Sequence, residues 1–189
     1  MKKREEILKY ILKPHFKKHG FKIAGNHFKK SEKGFTKIIN PQFSQWNGPT
    51  NVSFTFNIGF FFPTTMIFEN KEIPKSISVH DCQINERFGT FFYNHDYWIS
   101  SESEIQQQIE KITNWFEKFD SLDSLFILEE TKNAFTTYRL NYDIAISKLE
   151  KSFSEGLLIL EKEYDLLENK STFWADSLKT ALEKIKQQN

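Results

Sequence analysis

Four small groups of side chains carry the chemical possibilities of this sequence. Asn40 and Gln42 stand two apart, as do Thr55 and Asn57. Residues two apart on a strand point the same way. If those strands pair, they form a surface of amides and hydroxyl, which offers donors and acceptors without charge and suits a peptide backbone or a base. Arg87 and Asp96 form the second group, in a chain with 3 arginines against 23 lysines. A guanidinium grips a carboxylate in a planar fork, so Arg87 would either lock Asp96 or clamp a ligand carboxylate or phosphate. His80, Cys82, His95 and again Asp96 form the third. His80 and Cys82 share a face by alternation, and with His95 they carry the ligand types of zinc or of a Cys–His nucleophile. There is no CxxC, no HExxH and no second cysteine, so the expectation is no metal and a buried structural Cys82. The fourth is Trp46, in a polar loop with Asn47 and Gly48, where it suits the role of aromatic anchor for a partner. Trp98 is expected to plug the core.

The elements that must hold these groups follow from periodicity. In Asn51–Phe62 the even positions Phe54, Phe56, Ile58, Phe60 and Phe62 are apolar, and the odd ones Ser53, Thr55, Asn57 and Gly59 are small or polar. Strict alternation predicts a strand with one face on the core and one face open, as in an antiparallel sheet. Shorter strands are predicted at Phe21–Ala24, Asn26–Lys30 and Phe35–Phe43, with one or two more in Ser78–Phe92. A helix is predicted over 4–19 from Ile7, Leu8, Ile11, Leu12 and Phe16, kinked or broken at Pro14. Ser101-Glu102-Ser103-Glu104 is a capping-box pattern. The helix it opens carries Ile105, Ile109, Ile112, Phe116 and Phe119 on one stripe. Further helices are expected in 129–153, 157–168 and from Ser171 onward.

Composition supports the same division. The chain has 189 residues, 39% apolar, with 20 phenylalanines. Of 7 glycines and 5 prolines, all but Gly156 lie in residues 1–89, which marks a strand-and-turn first half and a helical second half. The fold class is therefore α+β: an antiparallel sheet with an N-terminal helix and a helical C-terminal half. The expected units are an α+β domain over 1–128 and a helical extension over 129–189, packed on it or mediating association. The formal charge is +1, but it is unevenly spread. Residues 1–37 hold 12 basic and 3 acidic side chains, and the rest hold 14 and 22. Lysine rather than arginine dominates, which argues against nucleic-acid recognition. No run of 18 apolar residues is present and no signal-peptide pattern is visible, so no membrane partner is expected. A single cysteine fits a cytoplasmic location.

The order of short elements resembles a bacterial family defined only as a domain of unknown function, DUF4304. The resemblance rests on Ile7–Pro14, Gly20-Phe21, Phe28, Ile39-Asn40-Pro41-Gln42, Phe54–Gly59, Cys82-Gln83-Ile84, Arg87-Phe88-Gly89 and Asp96-Tyr97-Trp98. It spans about residues 5–128. Where this chain has Asp96-Tyr97-Trp98-Ile99, the family shows Asp-x-Trp-Trp. The resemblance implies an architecture, and no reaction, catalytic residue or cofactor.

There is no glycine-rich phosphate loop, GxSxG or Rossmann fingerprint. The expected function is thus a non-enzymatic module that binds a protein or peptide, with an immunity or antitoxin-like role as one form of it. No catalytic residues and no cofactors are expected. The binding residues are Asn40, Gln42, Trp46, Thr55, Asn57, Arg87 and Asp96. The alternative is a small-ligand or enzymatic pocket near Arg87 and Asp96. A homodimer through the C-terminal helices, with Tyr138, Tyr142 and Phe153 between the chains, is a further expectation.

Overall fold

The computed structural model describes residues 2–48, 51–93, 95–126, 137–167 and 172–187. A five-stranded antiparallel sheet runs in the order β1 (Lys22–Ala24), β2 (His27–Ser31), β3 (Thr36–Phe43), β4 (Phe54–Phe61), β5 (Ile84–Arg87). Each strand pairs with its neighbour in sequence. Helix α1 (Lys2–Glu6), a π-helical segment (Ile7–Leu12) and α2 (Lys13–Lys18) precede it. Helices α3 (Pro63–Phe68), α4 (Phe88–Tyr93) and α5 (Glu102–Glu117) follow β4, β5 and the capping box; α6 (Thr137–Leu149), α7 (Phe153–Leu166) and α8 (Phe173–Gln187) make the helical second half.

The core explains the phenylalanine excess. One sheet face, carrying Phe28, Ile39, Phe54, Phe56, Ile58 and Phe60, is buried against α5 and the N-terminal helix. The Phe60 ring lies 5.8 Å from Trp115, 5.5 Å from Phe116 and 5.7 Å from Phe119. Phe16 packs 4.4 Å from Phe28 and 6.1 Å from Phe56. Each fully buried phenylalanine contributes about 1.5–3 kcal/mol of transfer free energy. Ser101 caps α5 as its sequence predicts. Its hydroxyl accepts from the Glu104 amide, and the Glu104 carboxylate accepts from the Ser101 amide at 2.9 Å.

Several expectations are corrected. The N-terminal helix does not break at Pro14. The backbone widens one turn earlier, and the Lys13 amide donates to Leu8, five residues back. Pro14 then sits in the first turn of α2, where its missing N–H costs little. Ser78–Phe92 supplies one strand, β5, and the chain continues as helix over Phe88–Tyr93. Trp98 is half-buried beside Arg87 rather than in the core. Tyr142 is buried in its own chain's cluster of α6, α7 and α8, so it is not available between chains. Phe153 is exposed, and the side chain of Tyr138 lies outside the described residues.

The largest correction concerns the second sheet face. It is not open along its length. Residues 62–83 fold back over one half, where Ile38, Phe61, Val79 and Cys82 form a small apolar cluster. Gln83 anchors this return by donating from Nε2 to the Phe62 carbonyl at 2.9 Å and accepting from the Phe62 amide at 2.9 Å. Only the other half stays polar.

Candidate functional site

The polar half is built by register. Asn40 lies opposite Asn57, Gln42 opposite Thr55, and Asn57 opposite Arg87. Asn40, Asn57 and Arg87 therefore make one row across three strands, spaced about 4.8 Å apart. The register of β2 on β3 sets His27 next to Asn40 in that row. Asn57 Nδ2 donates to Gln42 Oε1 at 3.0 Å, and Asn40 Nδ2 to the Asn26 carbonyl at 3.3 Å. Asn40, Gln42 and Asn57 are half-buried, which leaves part of each amide to solvent. Thr55 differs, because it is fully buried and so is withdrawn from any contact surface.

Arg87 ends the row. Its Nη1 donates to Asp96 Oδ2 at 2.8 Å, and Trp98 Nε1 donates to the same oxygen at 3.1 Å. The guanidinium carbon sits 5.7 Å from the Trp98 ring centroid. The chain reaches this position because the Ile99 amide and carbonyl bond Phe54 on β4 at 2.8 and 3.1 Å. Gly89 permits the return, since a Cβ there would lie 2.3 Å from the Tyr97 nitrogen. The contact to Asp96 is a single bond rather than the expected fork.

Trp46 stands at the tip of the β3–β4 loop, four positions after Gln42, and is 86% exposed. The loop beneath it is braced. Asn47 Nδ2 donates to the Ser53 carbonyl at 2.8 Å, and its Oδ1 accepts from the Ser53 amide at 2.7 Å. The aromatic surface is thus presented on a fixed base.

The histidine–cysteine group does not assemble. Cys82 is buried with its thiol pushed up by burial, while His80 and His95 are exposed. Among the described residues no group of three His, Cys, Asp or Glu side chains is placed to hold a metal ion. Burial lowers His27 below its ordinary value, with Lys29 and His80 adding to the effect.

Two concavities have volumes of about 260 and 520 Å³, and Arg87 and Asp96 line neither. The larger holds a network that sequence reasoning missed. Arg139 Nε and Nη2 donate to Asp143 at 2.9 and 3.0 Å, and Nη1 donates to Glu69 Oε1 at 3.1 Å. The i,i+4 spacing of Arg139 and Asp143 was a legible signal; the approach of Glu69 was not. Among the described residues no helix is long and apolar enough to cross a membrane.

A family model described as "Domain of unknown function (DUF4304)" matches residues 12–157. That span runs from the N-terminal helix through the sheet and α6 into α7. No curated protein and no solved structure matches the chain.

Proposed function

The chain belongs to the DUF4304 domain family, and from that premise we propose that it is a non-enzymatic, cytoplasmic binding module that takes a protein or peptide on the Trp46 loop and the adjoining amide row. The observation that carries this reading is Trp46 itself, 86% exposed on a loop held by Asn47. A large aromatic side chain in that setting adds area to a contact at little ordering cost. Asn40, Gln42 and Asn57 lie on β3 and β4, the strands that lead into and out of this loop, with partly free amides, which match peptide N–H and C=O groups. An immunity or antitoxin-like role is one form such binding takes in bacteria.

The reading of Arg87 and Asp96 as a ligand clamp has less support. Arg87 is neutralised by Asp96, and neither residue lines a concavity described above. They fit better as the rim that fixes one end of the row.

The test is affinity capture from the source cells with the wild-type chain and with Asn40→Ala/Trp46→Ala/Asn57→Ala. Trp46 is exposed, while Asn40 and Asn57 each give up one hydrogen bond, about 1 kcal/mol apiece, so the variant's folding is verified by circular dichroism before capture. Loss of one or more captured proteins is the expected result. The same captured set from both chains would refute the reading.

A further inference from the structure

The 520 Å³ groove lies between the end of α3, α6 and one face of α8, and neither Trp46 nor the amide row lines it. Its volume is that of a small-molecule site. Four aromatic side chains, Phe68, Tyr142, Phe173 and Trp174, line it among polar and charged ones. The rings of Tyr142 and Trp174 are 5.9 Å apart at 38°. Phe173 is 84% exposed at the rim, an apolar surface left in water.

The charged groups separate into satisfied and unsatisfied ones. Arg139 binds Asp143 and Glu69, and Lys71 Nζ donates to the second Glu69 oxygen at 2.6 Å. Lys184 is different. Its ammonium donates to the Phe68 carbonyl and sits 4.4 Å from the Phe68 ring centroid, and among the described residues it forms no ion pair. An ammonium has three donors, and this carbonyl uses one. Asp176 also lines the groove, exposed, eight positions before Lys184 on α8. That separation is two turns, about 12 Å along the axis. The groove is therefore cationic at the Lys184 end and anionic beside Phe173 and Trp174.

We propose that this groove binds an elongated small molecule with an aromatic or apolar body and one carboxylate. The carboxylate pairs with Lys184, and the body lies along Trp174 and Phe173. A second anionic group at the far end would meet Asp176, so the ligand class is monoanionic.

The full chain titrated with 4-phenylbutyrate, followed by amide chemical shifts, tests this, with 4-phenylbutyramide as the neutral match. The acid is expected to saturate shifts confined to the end of α3, α6 and α8, and the amide to bind at least about tenfold more weakly. Lys184→Gln brings the acid down to the affinity of the amide. Phe173→Ala, at an exposed position that does not threaten folding, weakens both compounds. Equal binding of acid and amide, shifts outside the groove, no saturation, or an unaltered Phe173→Ala variant each overturn the proposal.

Discussion

Arg139 reaches Glu69 across seventy positions of sequence, Nη1 to Oε1 at 3.1 Å, while gripping Asp143 with Nε and Nη2. This joins α6 to the turn after α3, and so joins the helical second half to the sheet. Asp143 is fully buried.

Arg139→Met should therefore be costly. Above about pH 7, where Asp143 is ionised, removing its partner leaves a buried carboxylate uncompensated, about 3–5 kcal/mol of destabilisation, readable as a lower urea midpoint at about pH 8. The pH dependence has a definite sign. Burial pushes the Asp143 carboxyl up to about 7 against the pull of Arg139. Between about pH 4 and 7 the native state keeps a proton that the unfolded chain has released. The contribution of Asp143 to stability then falls as pH rises through that window and is level above it. Asp143→Asn should remove this slope.

Glu104 has the opposite sign. Bonds from the Ser100 and Ser101 amides, the Ser101 hydroxyl and the Tyr97 hydroxyl hold its carboxyl down to about 2. Its contribution is present above about pH 4.5 and is lost as pH falls toward 2. The stability difference between wild type and Glu104→Ala, about 1 kcal/mol for a cap contact, should hold from pH 5 to 7. In acid it should shrink, as measured by urea unfolding at each pH.

Gly89→Ala tests the close return of the chain. Its Cβ would fall 2.6 Å from the His95 carbonyl oxygen as well as on the Tyr97 nitrogen, and backbone must move. The expected cost is about 1–3 kcal/mol. The shift should also separate Asp96 from Trp98, which would appear as a displaced Trp98 indole N–H resonance.

Cys82 should be unreactive in the native protein. It is 6% exposed, desolvation disfavours the thiolate, and its Sγ contacts the Ser78 carbonyl at 3.7 Å. A thiol reagent should label it only at the rate of opening of the 62–83 segment. Fast labelling without denaturant would contradict the packing described for the second face.

The sheet and α5 were legible because their signals are local. The alternation of Phe54 to Phe60 and the Ser101–Glu104 box each need only a few neighbouring residues. Periodicity says which side chains share a face; it does not say what covers that face. Hence Asn40, Asn57 and Arg87 do fall in one row, yet Thr55 is buried and Ile38 is roofed by Val79 and Cys82. The arrangement of Glu69, Arg139 and Lys184 depends on how α6 and α8 dock near α3, a long-range fact with no local pattern. At Pro14 the helix runs on without a break, as a π-helical segment gives way to α2 just before it, a change of winding that no residue pattern in the sequence signals.

The strand order β1 to β5, each beside its neighbour in sequence, has a kinetic consequence. Short loops close at a small entropic cost, and β1 through β4 are joined only by such loops. The first four strands therefore pair at a low loop-closure cost, although their core face is covered only when α5 packs on it. β5 must wait for the longer 62–83 excursion, and the Arg139–Glu69 tie for the whole of α6. The sheet thus rests on pairings between neighbours in sequence, and the groove beside α8 on contacts more than a hundred residues apart.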